Sequence, residues 1–104
     1  MGLRIRQVLG YVGYSLVFGV VMLMAACATA PVQQMSDARQ KIQVAVDAGA
    51  EQYAKNELSR SQDLLLAAQK AIDARDFEKA RQIALDAQKA ADHAKKLADS
   101  AQMK

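Results

Sequence analysis

The sequence predicts an all-α protein in which an N-terminal signal helix is followed by three further helices. Beyond residue 35, apolar residues recur at intervals of three and four, which is the spacing of one helix face. Alanine dominates these positions, and the chain contains a single proline, Pro31. After Cys27 there is one glycine, Gly49, so little in this region interrupts helical structure.

The first 26 residues have the order of an export signal. Arg4 and Arg6 precede an almost unbroken apolar run over residues 8–24, and small residues then lead to Cys27. All 11 acidic residues lie after Cys27. Of the 14 basic residues, Arg4 and Arg6 precede Cys27 and the other 12 follow it. Because these charges are interspersed, the sequence gives no basic stripe for nucleic acid.

Cys27 decides how this segment is interpreted. Residues 24–27, Met-Ala-Ala-Cys, resemble the lipobox of bacterial lipoproteins, with Met24 where leucine is typical. The resemblance implies that residues 1–26 are a cleaved signal peptide and that Cys27 becomes the acylated N-terminus. It also implies, from Ala28, sorting to the periplasmic face of the outer membrane. Two or more acyl chains would anchor the chain stably in the membrane.

Two alternatives for the same segment stay open. The apolar run just reaches the ~17 residues that a membrane span requires, so the signal could remain as a single inner-membrane helix. Cleavage after Ala28-Thr29-Ala30, an A-x-A pattern, would instead release a soluble exported protein.

Residues 27–35 are the expected acylated N-terminus and tether, and residues 36–104 the helical domain. Ser36, followed by Asp37, is the predicted N-cap of the first helix. One face of that helix carries Ala38, Ile42, Ala45 and Val46, and Gly49 is its predicted end.

The second and third helices, about residues 55–74 and 76–102, are predicted to form an antiparallel hairpin with an alanine-rich heptad seam. The seam of the second helix comprises Leu58, Ser61, Leu65, Ala68 and Ile72, and that of the third Phe77, Ala80, Ala84, Ala87, Ala91, Ala94, Ala98 and Ala101. Facing pairs such as Leu58 with Ala94 and Ala68 with Ala84 have position numbers with a constant sum, which fixes one register. Asp76 is the predicted cap at the turn.

Positions that flank the seam predict where other helices pack. One side of the hairpin carries Leu64, Ala71, Ile83, Ala90 and Leu97, and this groove is expected to receive Ile42 and Val46 of the first helix. Leu66 and Leu85 lie on the opposite side at one level. They are either scattered surface leucines or a docking spot for a partner helix.

The residues predict no enzyme, no cofactor and no metal site. His93 is the only histidine, the carboxylates are spread along helix faces, and no phosphate-binding loop or metal-ligand spacing occurs. A single cysteine excludes an internal disulfide.

One further pattern within residues 37–96 comprises Gly49-Ala50, Tyr53-Ala54, Leu58, Leu65, Ala68, Asp76-Phe77, Ala80 and the alanine series that follows. In this pattern the segment resembles a family of alanine-rich bacterial envelope proteins known as domain of unknown function 4398. Lys55 and Arg75 depart from the family's frequent proline and glycine. The turn at residues 76–80 is also similar to the second half of a tetratricopeptide repeat. The family implies a fold and an envelope location, and no activity.

Two functions are predicted. The first is a membrane-anchored periplasmic interaction or scaffold module, with an envelope protein or peptidoglycan as partner; self-association would bury more of a thin alanine core. The alternative is a structural tether similar to murein lipoproteins, which are joined to peptidoglycan through a C-terminal lysine, here Lys104.

Overall fold

The computed structural model describes residues 13, 15–18 and 30–103 of the chain. From residue 30 onward it contains four helices: α1 (Val32–Asp47), α2 (Ala50–Tyr53), α3 (Lys55–Asp73) and α4 (Phe77–Gln102). Residues 13 and 15–18 are also helical. The all-α class is therefore confirmed. No helix in this part of the chain combines the length and the apolar character required to cross a bilayer.

Helix α1 begins at Val32, four residues before the predicted N-cap Ser36. Pro31 is the N-cap, and its carbonyl accepts a hydrogen bond of 3.0 Å from the Met35 backbone N–H. Met35 is 2% exposed and packs with Ala68 of α3 and Ala84 of α4. Burial of this side chain explains the extra helical turn, which the capping pattern at Ser36 did not reveal. Residues 32–35 thus form the first turn of α1.

The predicted break at Gly49 is confirmed. Helix α1 ends at Asp47, and Gly49 follows in the left-handed conformation with φ of +92°. Its N–H donates to the Val46 carbonyl at 2.9 Å. A Cβ at this position would lie 2.5 Å from Gln102 Nε2, the end of a flexible side chain that can move, so the left-handed backbone is the main reason for glycine here. The short helix α2, which the sequence did not predict, follows directly.

The turn between α3 and α4 closes α3 with a Schellman motif. The Asp76 N–H donates to the Ala71 carbonyl and the Arg75 N–H to the Ile72 carbonyl, both at 2.9 Å. Arg75 occupies the left-handed position with φ of +61°. Asp76 then caps α4, because its carboxylate accepts from the Lys79 N–H at 3.4 Å. The predicted cap is confirmed.

Alanine forms most of the core. Thirteen of the sixteen buried apolar residues in the described chain are alanine, and the larger ones are Met35, Ile42 and Leu58. Ser61 is fully buried and satisfies its hydroxyl by donating to the Leu58 carbonyl at 2.7 Å. Since alanine side chains are short, the helices can approach closely, and each of the few larger residues carries a large share of the buried area.

Helices α3 and α4 lie side by side and run in opposite directions. Leu58, near the start of α3, lies in one cluster with Ala91, Ala94 and Ala98 near the end of α4. Ala68, further along α3, clusters with Ala84. Ala101 is exposed, although it was predicted to belong to the seam, because α4 extends past the start of α3 at Lys55.

Helix α1 is attached to α4 by polar side chains along its length. Gln88 Nε2 donates to the Gln34 carbonyl at 3.0 Å, and Gln102 Nε2 donates to the Ala48 carbonyl at 2.6 Å. Between them, Lys41 Nζ lies 2.8 Å from Asp92 Oδ2. Asp92 therefore pairs with Lys41 of α1 rather than with Lys96 of its own helix. These contacts show that α1 runs parallel to α4.

The predicted groove for α1 is wrong. Because residues of a helix are rotated by ~100° from one to the next, Gln88, Asp92 and Gln102 share one face of α4. Ile83 and Ala90 lie on the far side of the alanine seam from that face. The face that α1 presents consists of Met35, Ala38, Ile42 and Ala45, which are buried. This narrow stripe requires a close approach, which Ala84, Ala91 and Ala98 permit and the bulkier Ile83 and Leu97 would prevent.

Candidate interaction surfaces

No residue in the described part of the chain covers the side of the α3–α4 pair opposite α1, and we call this side the free groove. It contains a cleft of about 330 Å³ lined by Glu57 and Arg60 of α3 and by Asp86, Lys89, Ala90 and His93 of α4. The floor is alanine, whereas the edges carry charges of both signs. Such a surface suits a partner that also presents mixed charges, rather than a uniformly charged polymer.

One pair of side chains crosses the free groove. His93 Nδ1 lies 3.3 Å from Glu57 Oε2, and the His93 side chain is 57% exposed. The structure places it at a groove edge opposite a carboxylate, where it can donate or accept a hydrogen bond towards a bound group.

A second cleft continues the free groove towards the α3–α4 turn. It measures about 280 Å³, and its lining is mostly apolar, with Ala67, Ala71, Ala74 and Ile83. Lys70, Asp76 and Lys79 lie at its edges. Ala71, Ile83 and Ala90 lie on one side of the pair, as predicted, but α1 does not pack on that side. The two clefts together give an elongated surface between two helices.

The predicted docking residues lie on the other side. Leu66 is 62% exposed and Leu85 is 40% exposed. They are on the α1 side of the α3–α4 pair, near the level at which α1 begins, and Val32 in the first turn of α1 is also exposed. The structure leaves both leucines accessible.

Among the ion pairs, Lys95 and Asp99 form an i, i+4 contact on α4, with 2.8 Å between Nζ and Oδ2. The hydrogen bond to Asp99 and its negative charge raise the pKa of Lys95 above its usual value. A raised lysine pKa stabilises the folded state below the unfolded pKa, and this stabilisation is lost as the pH rises through the folded pKa. The pair is exposed, so its contribution is small.

The two predicted attachment residues, Cys27 and Lys104, lie outside the described residues. Met103, the last described residue, is 88% exposed. In the described part of the chain, no three His, Cys, Asp or Glu side chains come together in a manner that would hold a metal ion.

A family model described as a domain of unknown function, DUF4398, matches residues 33–104. This match covers more than half of the chain. The protein belongs to the DUF4398 family. No curated protein and no solved structure matches the chain.

Membership in DUF4398 confirms the family that the sequence resembles. The matched region begins one residue after the start of α1 and includes α2, α3 and α4. Both surfaces described above, the free groove and the exposed leucines Leu66 and Leu85, therefore belong to the DUF4398 domain. Residues 1–32, with Cys27, precede it.

Proposed function

We propose that this DUF4398 protein is a non-catalytic interaction module of the bacterial cell envelope, held at the periplasmic face of the outer membrane by acyl chains on Cys27. Its helical domain consists of a hairpin of α3 and α4 that meet along an alanine-rich seam, with α1 packed on one side in a tetratricopeptide-like arrangement. The observation that carries the proposal is the free groove. One side of the α3–α4 pair is covered by α1, while none of the residues that the structure describes covers the equivalent side.

The anchor is supported by the order of the N-terminal residues. The chain has a basic start, then an apolar run, then Met24-Ala25-Ala26-Cys27. This is the order of segments in a lipoprotein signal peptide. Acylation of Cys27 would keep the domain a few residues from the bilayer, since Val32 already belongs to α1. A scaffold held at one membrane can concentrate its partner there without chemistry of its own.

The occupant we assign to the free groove is a helix of another envelope protein. Helix α1 provides the template, because it fills the equivalent groove with a stripe of small and medium apolar residues and bonds through polar residues at its edges. The edges of the free groove offer Arg60 and Lys89 beside Glu57 and Asp86. A helix with an apolar stripe between charges of both signs complements this arrangement.

Site-specific photo-crosslinking in cells tests this proposal. The full chain carries a photoreactive phenylalanine analogue at Lys89, at the edge of the free groove, or at Val44, which is 46% exposed on α1. We expect a discrete adduct with another envelope protein from position 89 and none from position 44. Arg60→Glu should abolish the adduct, whereas Arg39→Glu, a matched exposed arginine on α1, should leave it unchanged.

Three results would contradict the assignment. An adduct that forms equally from both positions, or one that survives Arg60→Glu, would show that the groove is not recognised. An adduct at twice the mass of the chain would assign the groove to a second copy of this protein instead.

A further inference from the structure

The α3–α4 pair extends beyond the point at which α1 begins. Gln34 of α1 contacts Gln88 of α4, Lys41 pairs with Asp92, and Met35 clusters with Ala84, so Pro31 lies near the level of residues 80–85. Helix α4 starts at Phe77. At 1.5 Å per residue, the turn end of the pair therefore projects ~5–12 Å past the start of α1.

The start of α1 lies at this same end of the molecule, because α1 runs parallel to α4. Cys27 is four residues before Pro31, a distance that an extended chain spans in at most ~14 Å. A tether of this length is long enough to span the projection of the turn end.

Exposed apolar side chains surround this end. Val32 is 72% exposed, Leu66 62% and Leu85 40%, and Leu66 and Leu85 lie at one level of the α3–α4 pair. We call these three residues the leucine patch. The turn beyond them exposes Arg75, whose long side chain can reach lipid phosphates, beside the exposed carboxylates of Asp73 and Asp76.

We infer that the leucine patch and the α3–α4 turn rest on the surface of the bilayer to which the chain is anchored. The inference rests on the proposed acylation of Cys27, which places that bilayer within reach of the patch. Because the tether is short, it would hold the leucine patch close to the lipid interface. The free groove, on the opposite side of the α3–α4 pair from α1, remains available to its partner.

Single tryptophans can test this orientation because the chain contains no tryptophan. Leu85→Trp reports on the patch, and Leu97→Trp is the matched control. Both leucines are 40% exposed on α4, and they are separated by 12 residues, or ~18 Å. The full acylated chain is reconstituted in vesicles of phosphatidylethanolamine and phosphatidylglycerol, with or without brominated acyl chains, and Leu66→Trp is measured as a second reporter.

We expect brominated lipid to quench Leu85→Trp and Leu66→Trp and to shift their emission to shorter wavelength, while Leu97→Trp changes little. If the protein floats with the vesicles but Leu85→Trp is quenched no more than Leu97→Trp, the orientation is wrong while the anchor stands. Shielding of Leu85→Trp from aqueous iodide without quenching by brominated lipid would assign the patch to a second copy of this chain and overturn the inference. If the chain does not float at all, the proposed anchor fails, and the inference fails with it.

Discussion

Arg75 holds a backbone conformation that its side chain disfavours. In the Schellman motif that ends α3, the residue at the left-handed position is usually glycine, and here arginine adopts φ of +61°. The left-handed conformation costs an L-residue about 1–2 kcal/mol, and glycine avoids the steric part of that cost. The domain therefore stores strain in the turn that joins its two longest helices.

We predict that Arg75→Gly raises the free energy of unfolding by about 0.5–1 kcal/mol, because steric relief exceeds the entropy that glycine loses on folding. Urea unfolding of the helical domain followed by circular dichroism measures the change. Arg75→Ala is the control, since it removes the charge but keeps Cβ. An equal gain from alanine would show that charge, and not backbone strain, is responsible.

Residue-level predictions succeeded where one side chain or one backbone position decides the structure. Gly49 and Asp76 each ended or capped a helix as expected, because left-handed freedom and a capping carboxylate are local properties. Ser36 failed as a cap because the start of α1 is set by burial of Met35 against Ala68 and Ala84. That contact joins residues more than thirty positions apart, and a local capping pattern contains no information about it.

At the scale of the helices, the alanine seam sets how closely three elements approach. Ala84 is fully buried and lies in the cluster where Met35 of α1 meets Ala68 of α3. A larger side chain there must push at least one helix away, since close-packed cores have no room for extra methylenes.

We predict that Ala84→Leu lowers the free energy of unfolding by about 1–3 kcal/mol through overpacking. Ala101→Leu, on the same helix but exposed, should change it by less than about 0.5 kcal/mol. Both values come from urea unfolding. Should Ala84→Leu be neutral or stabilising, the three helices would not meet at this alanine.

The side of the α3–α4 pair that α1 occupies was not predictable from apolar pattern alone. The positions of Ile83 and Leu97 beside the seam predicted that α1 packs on their flank. In the structure, α1 packs on the flank with Gln88, Asp92 and Gln102. The two glutamines donate to backbone carbonyls of α1 and of the residue that follows it, and Asp92 accepts from Lys41. Small apolar stripes pack where close approach is sterically allowed, and polar groups then fix the register.

At the scale of the whole molecule, the position of α1 decides which surface is open. Zero-length carbodiimide coupling joins a lysine amine to a carboxylate in direct contact, and Lys41 Nζ lies 2.8 Å from Asp92 Oδ2. We predict a cross-linked peptide pair that joins Lys41 to Asp92, identified by mass spectrometry, and its loss in Asp92→Asn. Coupling of Lys41 to Asp86 or Glu57, which line the free groove, would place α1 on the opposite side and remove the proposed binding surface.

Acylation of Cys27 would locate the domain at a membrane and set the distance of the leucine patch from the bilayer. Intact mass spectrometry of the protein extracted from the envelope, before and after muramidase treatment, measures this directly. We predict a chain that begins at Cys27, carries added acyl mass and ends in an unmodified Lys104. A mass that begins at Met1 would contradict the anchor and indicate an inner-membrane span, while a muropeptide on Lys104 would identify a wall tether in place of the interaction module.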